Sequence, residues 1–133
     1  MPFAKAWMRL LHTRRTFWAM KGQTLFRRFG YAFNGIVTAF RRERSMRVHG
    51  IATLAVFAFL AATGAPLLWW VLITLAVGLV LVAEMANSAL EALADLLHPA
   101  QHPEIGVAKD IAAGAVLIAT IVAVVVGVAY LLR

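Results

Sequence analysis

The chain has no cysteine, which excludes disulfides and every thiolate metal site. It is also poor in charge. Only 14% of its 133 residues are Asp, Glu, Lys or Arg, against about a quarter in an ordinary soluble domain. Acids are scarcer still, with six in all. Their scarcity makes the position of each one informative. The motif of a phosphate-binding P-loop is absent, as is a nucleophile elbow. What fills the chain is apolar: 62% hydrophobic residues and a mean hydropathy of +0.81. A single soluble core of this length has no room to bury that much apolar surface.

The net charge of +7 is concentrated. Eleven of the 13 Lys and Arg residues lie between Lys5 and Arg47, and only Lys109 and Arg133 follow. A basic segment ahead of apolar segments marks the cytoplasmic side of a membrane. It also attracts anionic lipid head groups, by about 1 kcal/mol per residue near the surface. Nucleic acid, the rival partner for such charge, does not suit a chain whose remainder belongs in a bilayer. No cleavable leader is expected, because no short apolar stretch with a small-residue cleavage site follows the basic region promptly.

The expected class is an all-α integral membrane protein. Residues 1–25 read as a basic N-terminal extension and 26–133 as the membrane domain. In residues 24–46, Leu25, Phe29, Phe33, Ile36, Val37 and Phe40 recur at helical spacing with arginines mostly elsewhere. That pattern describes an amphipathic surface helix, docked on the bilayer interface or on a partner protein. Three spans follow at 47–63, 67–97 and 105–132. The turn Gly64-Ala65-Pro66 separates the first pair, and a loop from His98 to Pro103 with two prolines separates the second. Trp69 and Trp70 are placed to anchor the second span at an interface.

The second span carries the chemistry. At about 100° per residue, Glu84, Asn87, Ser88, Glu91 and Asp95 form one polar stripe on an apolar helix. Counting about 1.5 Å per residue from Leu67 puts Glu84 near the cytoplasmic edge of the hydrocarbon, with Glu91 and Asp95 beyond it. Glu43, Lys109 and Asp110 are expected on that same side. Ionisable groups at this depth are costly and usually functional. An oxygen-rich set suits Mg²⁺, which keeps waters and takes one or two carboxylates plus substrate phosphates. The alternative is a helix–helix contact joined by polar side chains. Lys109 is placed to meet phosphate oxygens, with Asp110 holding the lysine or a ribose, or else the two are an ion pair at a helix start. Glu43 is the only acid among Arg41, Arg42, Arg44 and Arg47, and a pairing with Arg47 is the bland reading. His49, His98 and His102 lack metal-ligand spacing.

Glu84 to Asp95, followed by Ala108-Lys109-Asp110 and Ala115-Val116-Leu117, resembles the prokaryotic diacylglycerol kinase and undecaprenol kinase family. Upstream, Gly30-Tyr31-Ala32-Phe33-Asn34-Gly35, Ala39-Phe40 and Glu43 through Arg47 extend the resemblance over roughly 26–132. The resemblance implies a homotrimer in the bacterial plasma membrane. Its active sites would lie between protomers at the cytoplasmic face and move the γ-phosphate of ATP to a lipid hydroxyl with Mg²⁺ as cofactor. It implies Glu84 as general base, Glu43 and Glu91 as metal carboxylates, and Asn87 in support. Lys109, Asp110, Tyr31 and His102 would contact nucleotide, with Arg27 or Arg28 replacing a basic contact that has no exact match. Ser88, Asp95, Arg47 and Ala113 would be supporting or substrate-side positions. Ser45-Met46-Arg47-Val48-His49 is similar to undecaprenol kinases. Ala113 and Gln101 stand where diacylglycerol kinases usually carry serine and tyrosine. Undecaprenol is therefore favoured, with diacylglycerol as the alternative. A non-enzymatic oligomer conducting protons or cations, and a membrane-anchored adaptor, are the other classes.

Overall fold

The computed structural model describes residues 24–97 and 102–133. The readings of residues 1–23 and of the loop at 98–101 lie outside the described residues. Everything described is helix or tight turn: α1 (Leu25–Arg42), α2 (Arg44–Ala62), α3 (Leu67–Leu97) and α4 (Pro103–Leu131). The expected boundary between surface helix and first span, at 46/47, falls instead at Glu43. That residue is extended (φ −94°, ψ 126°) and interrupts the helix.

The chain divides into two compact units at Val37/Thr38, inside α1. The described part of the first unit is a helix opened by Arg27 N–H donating to the Thr24 carbonyl (3.0 Å). It buries none of its residues, and Leu25, Phe26, Phe29 and Phe33 are all exposed. An apolar face this bare calls for lipid or another protein against it.

The second unit holds three helices long and apolar enough to cross a membrane, α2, α3 and α4. At 31 residues, α3 is about 46 Å long and outruns a hydrocarbon layer of about 30 Å. Helix α2 ends in a Schellman turn. Ala65 N–H reaches the Leu60 carbonyl (3.0 Å), Gly64 N–H reaches Ala61 (3.3 Å), and Gly64 is left-handed at φ +61°. Only glycine takes that conformation freely. Helix α4 starts with His102 as N-cap, its Nδ1 accepting from Glu104 N–H (3.3 Å), and Pro103 in the first turn, where the missing N–H is harmless.

Helix α3 packs along α4, and α2 packs on α3. Small residues let the backbones approach: Ala76 and Ala119 are both buried, as close helix contacts in lipid require. The core lies at the Gly64 end, where Leu60, Ile73 and Tyr130 are buried among Phe57, Trp69 and Trp70. Phe57 stacks on Trp70 (5.8 Å), and Tyr130 meets Trp69 edge-on (5.3 Å). The Tyr130 hydroxyl bonds to the Thr63 hydroxyl and accepts from Arg133 Nη2. The two tryptophans expected as interface anchors are thus partly committed to packing. Leu117, Ile118, Val124 and Val125 remain exposed along α4, as lipid-facing positions do.

Replacing Gly64 by alanine forces a Cβ into the left-handed region and should lower unfolding free energy by about 1–2 kcal/mol. Reversible unfolding in detergent measures this, and an unchanged midpoint would contradict the turn geometry.

Candidate functional site

The polar stripe on α3 divides into two parts once its side chains are placed. Glu84 is buried, with 6% of its surface exposed, and is the only buried charged side chain among the described residues. No donor among the described residues reaches its carboxylate. One turn on, Asn87 Nδ2 donates to Glu91 Oε1 (3.0 Å), which turns the Asn87 carbonyl oxygen away from Glu91. That oxygen, Oδ1, is buried with no hydrogen-bond partner. Ser88 and Glu91 are half-buried beside it.

Glu84 and Glu91 are two helical turns apart, about 10.5 Å along the axis. One ion cannot be held by both. Nor do the described residues contain any group of three or more His, Asp or Glu that would hold a metal. Glu43, Glu84 and Glu91, expected on one membrane side, form no such group within the described residues of one chain. What the chain does present is a pair of oxygen donors, the Glu91 carboxylate and the orphaned Asn87 Oδ1. Of these, the Glu91 carboxylate, whose Oε2 makes no hydrogen bond, suits a hard divalent cation that completes its shell with water and substrate oxygens, and Asn87 would have to turn its amide over to join it. Glu84 stands apart and uncommitted, with little of its side chain exposed.

Asp95 ends the stripe and pairs with α4, its Oδ1 lying 2.5 Å from Lys109 Nζ. Asp110, for which the lysine was one of the expected partners, is exposed and makes no bond among the described residues. The signal for Asp95 was available, since it shares the stripe with Glu91. What sequence could not supply was the register of α4 against α3.

Glu43 stands half-buried at the α1–α2 break. Its side chain does not cap α2, and Arg47 does not pair with it. Arg47 Nη1 donates instead to the carbonyls of Arg41 (3.0 Å) and Phe40 (3.5 Å). Arg27, Arg28 and Tyr31 are exposed on the first unit, and Ala113 is exposed on α4. His102 and Glu104 edge a cleft of about 390 Å³ between the end of α3 and the start of α4. Its walls are Leu90, Leu93, Ala94, Leu97, Ile105 and Ala108. The α3 members recur at helical spacing, so their common face was readable, but its role as a cleft wall was not.

Residues 30–131 match the family model described as prokaryotic diacylglycerol kinase. The chain is 41% identical over 105 residues to the diacylglycerol kinase of Synechocystis, covering 74% of this chain and 57% of that protein. It thus spans little more than half of that relative's length. It is 36% identical over 96 residues to the diacylglycerol kinase of Escherichia coli K12, covering 72% of this chain and 79% of the relative. The undecaprenol kinase of Bacillus subtilis is 32% identical over 102 residues, covering 77% and 83%.

The Asp95 and Lys109 side chains are 70% and 33% exposed, so their attraction is heavily screened. A double-mutant cycle with Asp95→Asn and Lys109→Gln should give a coupling of about 0–1 kcal/mol in unfolding experiments. A coupling above about 2 kcal/mol would mean that the pair holds the fold together.

Proposed function

This chain belongs to the prokaryotic diacylglycerol kinase family, and on that premise we propose that it transfers the γ-phosphate of ATP to the hydroxyl of a membrane lipid alcohol. The observation that carries this reading is Glu84: a buried side chain with no donor among the described residues, on a bilayer-length helix, one turn from Asn87 and two from Glu91. A lipid hydroxyl reaches that depth, and a screened, unpaired carboxylate there is placed to accept its proton. The hydroxyl oxygen bonds to the γ-phosphorus as the bond from that phosphorus to the β,γ-bridging oxygen breaks, and ADP leaves with the electron pair. Such a transfer depends on positioning and charge neutralisation.

Glu91, with Asn87 Oδ1 beside it, and Glu43 would hold Mg²⁺, which when bound neutralises phosphate charge. Lys109 offers an ammonium with donors to spare beyond Asp95. Asp110, His102, Tyr31 and Arg27 or Arg28 complete the proposed nucleotide contacts, with Ser88 and Ala113 toward the lipid. The cleft beside His102 suits a flat apolar group such as a nucleobase. Because one chain does not gather the three glutamates, a homotrimer with sites between protomers is the assembly that would complete the set. The basic residues through Arg47 favour a cytoplasmic N-terminus and active site in the bacterial plasma membrane, among anionic head groups. Residues 26–133 would form the catalytic domain, with 1–25 an extension.

Undecaprenol is the first substrate proposed, on the stretch Ser45 to His49 and on Ala113. Diacylglycerol is the second, favoured by the 41% and 36% identities to proteins of that name. Purified protein, labelled ATP and each lipid alcohol in turn separate the two: label appears in undecaprenyl phosphate or in phosphatidic acid. Glu84→Gln should slow transfer by about 10²–10⁴-fold while ATP still binds. An undiminished rate in that variant would remove Glu84 as the base.

A further inference from the structure

The break between α1 and α2 is held more firmly than a connection of one residue requires. Glu43 N–H closes the last turn of α1 by donating to the Ala39 carbonyl (2.9 Å). Arg47, in the first turn of α2, reaches back across Glu43 to the carbonyls of Arg41 and Phe40. These are among the last four carbonyls of α1, which lack partners within the helix. The third tie is steric. A Cβ on Gly50 would lie 2.7 Å from Cε1 of the Phe40 ring, so an alanine there displaces the ring. The other glycines of the described helices have nothing within 4 Å of such a Cβ. Glycine inside a helix is destabilising by about 0.5–1 kcal/mol relative to alanine. Gly50 is not left-handed, so backbone conformation does not call for it. The Phe40 ring does.

These three ties hold the backbone on either side of Glu43. The Glu43 carboxylate occupies an N-cap position where acids usually bond to the helix, yet it makes no such bond. With Arg47 committed to carbonyls, it also has no ion pair among the described residues. The geometry points to a clamp in which Phe40, Arg47 and Gly50 act as positioning residues that fix the Glu43 carboxylate for a divalent cation. This rests on the reading of Glu43 as a metal carboxylate. It assigns Gly50 a role through the ring it admits. Ligating groups must be held to within about 0.5 Å by their supporting shell, and the residue joining two helices has little rigidity of its own.

Mn²⁺ titrated into the full-length protein with ATP, read by electron paramagnetic resonance, tests the clamp without turnover. Gly50→Ala should weaken Mn²⁺ binding by about tenfold, the lower range for loss of a ligand's supporting partner. Adding Phe40→Leu, which relieves the clash with the added methyl group while keeping an apolar side chain packed there, should restore most of it. Arg47→Gln, with Gly50 intact, should weaken binding in the same direction and serves where Gly50→Ala fails to fold. Wild-type affinity in Gly50→Ala, or no recovery in the double variant, overturns the clamp alone. Absence of nucleotide-dependent Mn²⁺ binding in the wild type overturns both the clamp and the proposed kinase reading.

Discussion

A carboxylate on an apolar, bilayer-length helix must be neutralised, paired or brought to water, because leaving it charged in hydrocarbon costs several kcal/mol. Each acid on α3 meets that constraint differently. Glu84 is buried without a donor, Glu91 takes one hydrogen bond from Asn87, and Asp95 pairs with Lys109 near the helix end. The gradient from buried and unpaired to exposed and paired runs along one stripe. It sorts three carboxylates of one helix by environment, which is the differentiation that the proposed roles of base, metal donor and charge partner call for.

The rest of the fold serves that stripe. The aromatic core and the Schellman turn at Gly64 lock the opposite end of the bundle, where Tyr130, Thr63 and Arg133 join three segments. At the Glu91 end, α3 and α4 diverge enough to leave a cleft, and much of the apolar surface faces outward. The proposed reaction, which brings a charged nucleotide beside an apolar lipid, would use this polarity: one end packed, the other open.

The helices were legible in the sequence because hydropathy and length dominate in a bilayer. Leu67–Leu97 was read with both its ends, and the stripe from Glu84 to Asp95 follows from helical period alone. Three features were not legible. The helix break at Glu43 depends on Arg47 capping backward and on Phe40 meeting Gly50, contacts that no local propensity encodes. The pairing of Lys109 with Asp95 rather than Asp110 depends on how α4 slides against α3. Where Glu43 stands relative to the α3 acids depends on tertiary placement, since a shared membrane side does not bring groups into one coordination shell.

The central claim is that the Asn87–Glu91 face of α3 takes a divalent cation together with nucleotide where the bilayer meets water. Anomalous scattering from crystals grown with Mn²⁺ and a non-hydrolysable ATP analogue tests it most directly. The account predicts a manganese peak within about 2.2 Å of a Glu91 carboxylate oxygen, bridged to the triphosphate. A peak elsewhere, with Glu91 still bonded only to Asn87, would contradict it.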